Sequence, residues 1–176
     1  LPNAAITFAC ISVYPPAGLY AAPRSEDVTW RVTDEHDWSA DMRSPKWLTG
    51  GQHIPNVPYD EGGLLIVDVR CLEKPTVSSS LKDQGWAVLP LFVDRVVDSG
   101  LHQLPLLTQR PDATTLAALS KAASKSIGEW HKEVASVSRR RGLGIVEGAS
   151  VTVTLLDAQR YDEYERPETL PPRATP

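Results

Sequence analysis

The chain has little of several things that hold proteins together or direct them to a partner. Of 176 residues, one is methionine, two are phenylalanine and two are cysteine. Cys10 and Cys71 offer no metal-ligand spacing and no disulfide framework; each sits in an apolar run, as expected of a buried free thiol in a reducing compartment. An excess of one charge is also missing. Eighteen Lys and Arg against 22 Asp and Glu leave a net charge of −4, so no global electrostatic footprint points to DNA, RNA or an anionic membrane. Long hydrophobic runs are absent too: Trp86 to Val93 is about half of the roughly 20 residues that a membrane-spanning helix needs, and Pro90 interrupts it. No basic residue precedes the apolar stretch Ala4 to Val13, as a signal peptide would require, and the missing initiator methionine reads as a processed, trimmed or incomplete chain.

Proline is what the sequence has in excess. Fifteen prolines exceed the average of roughly 5% and argue against a helical bundle or long coiled coil, because proline breaks helix interiors and in sheets is confined to edges, starts and bulges. The length predicts one domain with a real core, built of short strands and proline-bent loops.

Along the chain, Ala5 to Tyr14 reads as a strand buried on both faces and ended by Pro15-Pro16. Residues 19–63 are irregular, with Val28 to Val32 as a short strand and tryptophans as anchors. From Leu64 to Cys71, Leu65, Val67, Val69 and Cys71 alternate with Ile66, Asp68 and Arg70, the pattern of a half-exposed strand. Gly85 to Val93 and Leu101 to Leu107 form an irregular hairpin around a polar connection. Asp112 opens one long amphipathic helix over 112–141, with Leu116, Leu119, Ala123, Ile127, Trp130, Val134 and Val137 as its apolar stripe. Arg139, Arg140 and Arg141 complement its C-terminal dipole, and Val151 to Leu155 is a last strand. The organisation expected is a β-rich domain over 1–160 and an extended, proline-rich tail over 161–176 that a partner must hold.

Chemistry-bearing clusters are sparse. Asp34-Glu35-His36-Asp37 with Asp41 reads as a solvated acidic loop, lacking the glycine-turned twelve-residue calcium loop. Asp94 and Asp98, between two strands, are weak Ca2+ candidates, since two carboxylates fall short of calcium's six to eight oxygens. His102 and His131 have no GxSxG-type nucleophile to serve, and Gly142-Leu143-Gly144 is no phosphate cradle. The one basic patch is Lys121, Lys125 and Lys132 with the three arginines, better suited to an acidic protein surface than to DNA.

The stretch Gly85-Trp86-Ala87-Val88-Leu89-Pro90-Leu91-Phe92, followed by Ser99-Gly100-Leu101-His102-Gln103-Leu104-Pro105-Leu106, resembles the signature of a C2-like β-sandwich found in ciliary proteins of the coiled-coil-domain-containing protein seventeen group. Strands like Leu64 to Cys71 before it and Val151 to Leu156 after it, and the ending Tyr161-Asp162-Glu163-Tyr164, keep the family's order over roughly residues 60–170. The helix at 112–141 reads as an insertion, and the first 60 residues match only vaguely.

The resemblance implies an antiparallel β-sandwich without catalytic residues or cofactor. It also implies a structural, axonemal role in the cilium or flagellum, with tubulin or other axonemal proteins as partners. The surfaces expected to meet them are Lys121, Lys125, Lys132, Arg139, Arg140, Arg141, Tyr161 and Tyr164. The alternatives are a peripheral Ca2+- or lipid-binding C2 module at Asp94 and Asp98, with the basic helix near anionic headgroups, and an accessory subunit of a mitochondrial or other organellar membrane complex.

Overall fold

A computed structural model describes residues 6–14, 30–33, 35, 37, 39–41, 44–48, 54, 57–72, 81–140 and 143–157. Within them the chain is mainly β. In chain order the elements are β1 (Ile6–Tyr14), β2 (Trp30–Val32), β3 (Leu64–Leu72), β4 (Leu81–Pro90), β5 (Phe92–Val93), β6 (Val96–Val97), β7 (Gly100–Leu107), α1 (Ala113–Ala123), α2 (Ile127–Arg140) and β8 (Ile145–Leu155). Six strands form one sheet in the order β2-β1-β3-β4-β7-β8, and β5 and β6 form a two-stranded ribbon. Every pairing is antiparallel. The expected antiparallel β-rich fold is therefore present, while a division into two stacked sheets is not given by these pairings.

Strand β3 lies centrally because both of its faces are apolar. Leu65, Val67 and Val69 enter one layer with Ala9, Val13, Ala87, Leu89, Leu104 and Val151. Leu64 and Ile66 face the other way, against Leu119, Trp130 and Val137 of the helices and beside Trp86 and Leu107. The alternation had predicted solvent on that second face. Instead Ile66 and Asp68 are 6% and 3% exposed, because the helical layer covers them. Strand β1 departs in the opposite sense from its expected two-sided burial: Ala9 and Val13 are buried while the alternate positions are half-buried. The irregular region contributes Trp47, Ile54 and Val57 to the first layer, and Trp47 Nε1 donates to the Thr7 carbonyl at 2.8 Å, fastening that loop to β1.

Proline and glycine set the path between β4 and β7. Pro90 is the last residue of β4, where a missing N–H interrupts least. The chain then enters the ribbon, turned by Asp94 and Arg95 at φ 51° and 68°, the two left-handed residues that a tight hairpin's twist demands. Gly85, at φ +149°, lets β7 come close: a Cβ there would sit 2.9 Å from Leu106 Cβ. Trp86 opposite Leu107 is the one registered pair between the strands. Beyond it their side chains border a cleft beneath α2.

The expected single helix is two. The apolar stripe is continuous, but Ser124-Lys125-Ser126 interrupts the backbone ladder. Ser124 Oγ donates back to the Lys121 carbonyl at 2.9 Å, and Ser126 Oγ accepts from Glu129 N–H at 3.2 Å. The second bond is an N-cap, and Ser126-Ile127-Gly128-Glu129 has the S-x-x-E spacing of a helix start. Asp112 caps α1 as the sequence predicts, its carboxylate accepting from Thr115 N–H at 2.7 Å. The two helices pack the stripe residues Leu119, Trp130 and Val137 against Leu64 in one buried cluster.

Candidate functional site

An apolar cleft of about 520 Å³ lies between α2 and the strands β4 and β7. Val88, Leu89 and Pro90 form one side, Leu104, Pro105 and Leu107 another, and Trp130, Val134 and Val137 the roof. Each wall follows from its element. The amphipathic period of α2 turns Trp130 and Val137 inward, at 4% exposure each, while the divergence of β7 from β4 leaves space beneath them. Two isoleucines stand at the rim, Ile127 at 42% exposure and Ile145 at 51%. His131 and Arg139 add polar and positive groups to the same lining.

His102 closes the floor. It is 3% exposed, and its Nε2 lies 2.8 Å from the Asp98 carbonyl. A carbonyl only accepts, so that nitrogen carries the proton. The ring therefore ties β7 to the base of the ribbon and is a positioning group. Asp98 is itself buried at 7%, whereas Asp94 occupies the exposed ribbon turn. The two calcium candidates thus have different surroundings. Among the described residues no group of three or more His, Cys, Asp and Glu side chains is placed to hold a metal ion.

The basic residues spread out rather than converge. Lys121 lies on α1 and Lys125 in the interhelical turn, each beside concavities that Glu61 also lines. Arg139 borders the main cleft at the other end of α2, about 20 Å along a helix of this length. Lys132 is bound locally: its Nζ donates to Glu129 Oε1 at 2.8 Å. That bond holds Glu129 below the usual carboxylate range and raises Lys132. Arg140 is the last residue of α2, while Arg141, Tyr161, Tyr164 and the tail lie outside the described residues. Of the acidic loop, Asp34 and His36 lie outside them as well. Asp37 accepts from Ser39 N–H and Oγ at 2.9 and 2.6 Å, bonds that hold its carboxyl low.

The rim isoleucines escaped the sequence reading, which placed Ile127 within a buried stripe and began the last strand at Val151. The S-x-x-E spacing at Ser126 was the signal that moves Ile127 to a helix start. Buried Asp68, its ion pair with Arg70, and Trp86 were missed as a group because only the register brings them together. Searched against protein-family models, the chain matches none. No curated protein matches it either.

Proposed function

We propose that this chain is a non-enzymatic protein-binding subunit of a large assembly, and that the cleft under α2 takes an acidic partner segment carrying apolar anchors. The observation that carries this reading is the apolar cleft with two exposed isoleucines at its rim, roofed by a positive helical layer. Residues 113–140 hold five Lys and Arg against two Glu in a chain of net charge −4, so the helical layer carries a net positive charge distributed along its length, with Arg139 at the cleft itself. Lys121, Lys125, Lys132 and Arg139 are exposed along it. An anchor in a desolvated pocket supplies affinity, while surrounding charge steers encounter and selects the partner.

The resemblance to C2-like ciliary domains supplies the assembly: an axoneme of a cilium or flagellum, with tubulin or another axonemal protein as the partner. It also supplies the finer fold. The proposed finer fold takes β2-β1-β3-β4 and β7-β8, joined by one registered pair between β4 and β7, as the two halves of a C2-like sandwich. Burial and then the Asp68 carboxylate push the Cys10 thiol upward, away from the reactive thiolate, so the proposed reading assigns this cysteine no nucleophilic role.

The test is the fate of the tagged full chain in a flagellated cell. The proposal expects the chain in the detergent-resistant axoneme, released by salt. A chain that extracts with detergent alone, or that co-purifies with mitochondrial membranes, contradicts it.

A further inference from the structure

The cleft under α2 ends where the described chain leaves the sheet. Strands β7 and β8 pair antiparallel from Leu107 opposite Ile145 to Gly100 opposite Leu155, so the residues after Leu155 lie beside those before Gly100. There Asp157 N–H donates to Ser99 Oγ at 3.1 Å. The neighbouring Asp98 lines the cleft, as does Ile127, the first residue of α2. The last described residue therefore stands at one end of the cleft, and residues 158–176 continue from it.

The lining asks for a particular occupant. Its polar and charged side chains are Asp98, His102, His131, Ser138 and Arg139. His102 is committed to the Asp98 carbonyl, and Ser138 Oγ donates to the Val134 carbonyl at 2.9 Å. The rest of the lining is apolar, with Trp130 and Val137 buried and Ile127 exposed at the rim. Large rings match such walls, and a carboxylate matches Arg139 at the far end. After Ala158-Gln159-Arg160 the sequence supplies both in Tyr161-Asp162-Glu163-Tyr164-Glu165, two aromatic anchors with three carboxylates. We infer that residues 161–165 fill the cleft of their own chain, so that an external partner binds by displacing them; this rests on the reading of the cleft as a site for acidic segments with apolar anchors. The reach is sufficient. Asp157 to Arg160 is the length of one reversing turn. The four steps from Tyr161 to Glu165 span about 13 Å when extended, within the roughly 18 Å of α2 between Ile127 and Arg139. Arg160 then falls at the end that holds Asp98, and the carboxylates run toward Arg139. So short a connection holds the segment at an effective concentration on the order of 1 mM, well above that of a second copy in dilute solution.

The experiment measures fluorescence anisotropy of a labelled peptide of residues 159–168 titrated with the full chain, wild type against Tyr161→Ser with Tyr164→Ser. The expected result is saturable binding by the tyrosine-free chain with a Kd on the order of 100 µM, and binding about tenfold weaker by wild type, whose own segment competes at about 1 mM. Adding Ile127→Asp and Ile145→Asp to the tyrosine-free chain should weaken the peptide at least tenfold further, which places it in the cleft. Equal binding by wild type and the tyrosine-free chain overturns the inference but leaves the cleft as a site for acidic segments. Binding that the two aspartates leave unchanged overturns it too, because the peptide then sits elsewhere. Failure of the tyrosine-free chain to bind the peptide also overturns it, and the reading of the cleft is then decided separately by the axonemal partner. Light scattering at the same concentrations covers exchange between copies: a wild-type dimer that becomes monomeric in the tyrosine-free chain would assign the segment to a second copy and overturn the inference.

Discussion

Asp68 and Arg70 show how one ion pair can prevail over burial for one partner and yield to it for the other. Their bond raises Arg70 and so keeps it charged. For Asp68 burial outweighs the bond, and its carboxyl stands above the ordinary value of 3.8. A carboxyl raised by folding takes up its proton more readily in the folded chain. Its contribution to stability is full below the unfolded value and is lost as pH rises through the folded one. We therefore predict that urea midpoints of wild type minus those of Asp68→Asn fall with rising pH across the acid range; a difference that grows with pH contradicts this. Glycine gives a second test. Gly85→Ala places a Cβ against Leu106 Cβ, a backbone-anchored atom that cannot swing away, at a φ that alanine tolerates poorly. The expected loss is about 1–3 kcal/mol in urea unfolding, and a loss below about 0.5 kcal/mol would mean that β4 and β7 do not approach closely there. At this scale the sequence was readable where one strand decides the outcome. Leu65, Val67 and Val69 face a core as their alternation says. Ile66 and Asp68 were unreadable because their burial depends on helices some fifty residues later.

The helical layer shows a conflict between two sequence signals and which of them prevails. An apolar stripe at helical spacing over residues 116–137 predicts one long helix, and its Leu119, Trp130 and Val137 do pack in one buried cluster, while Ile127 stays exposed. Local capping nevertheless ends α1 and restarts the chain at Ser126. Serine side chains that bond nearby backbone groups favour such ends over helix interiors. Periodicity reports which residues face the sheet; it does not report whether the backbone between them is unbroken. The other cap is testable by itself. Asp112→Ala removes the bond to Thr115 N–H and should cost about 1 kcal/mol, read as a lower urea midpoint at unchanged slope. No change would mean that the first turn of α1 is held by packing of Thr115 and Leu119 alone. The strand ends were readable in the same uneven way: β8 was expected from Val151, where alternation is clear, yet it starts at Ile145.

For the whole molecule, the candidate cleft arises from the association of elements that individually look ordinary. The sequence displayed α2's basic charges and apolar stripe, and the strands beside it, in the right order. It did not display that β7 leaves β4 after one registered pair, which creates the space, or that Ile127 and Ile145 remain at its mouth. A rim variant separates function from stability. Ile127→Asp with Ile145→Asp replaces side chains that are already exposed, so unfolding should shift by no more than about 0.5 kcal/mol per site. The most direct test of the protein-binding account is co-sedimentation of the purified full chain with isolated axonemes, wild type against this double variant. The account predicts saturable pelleting of wild type that weakens as salt rises, and at least a tenfold loss of affinity in the folded double variant. Equal pelleting of the two, or none by wild type, would contradict it.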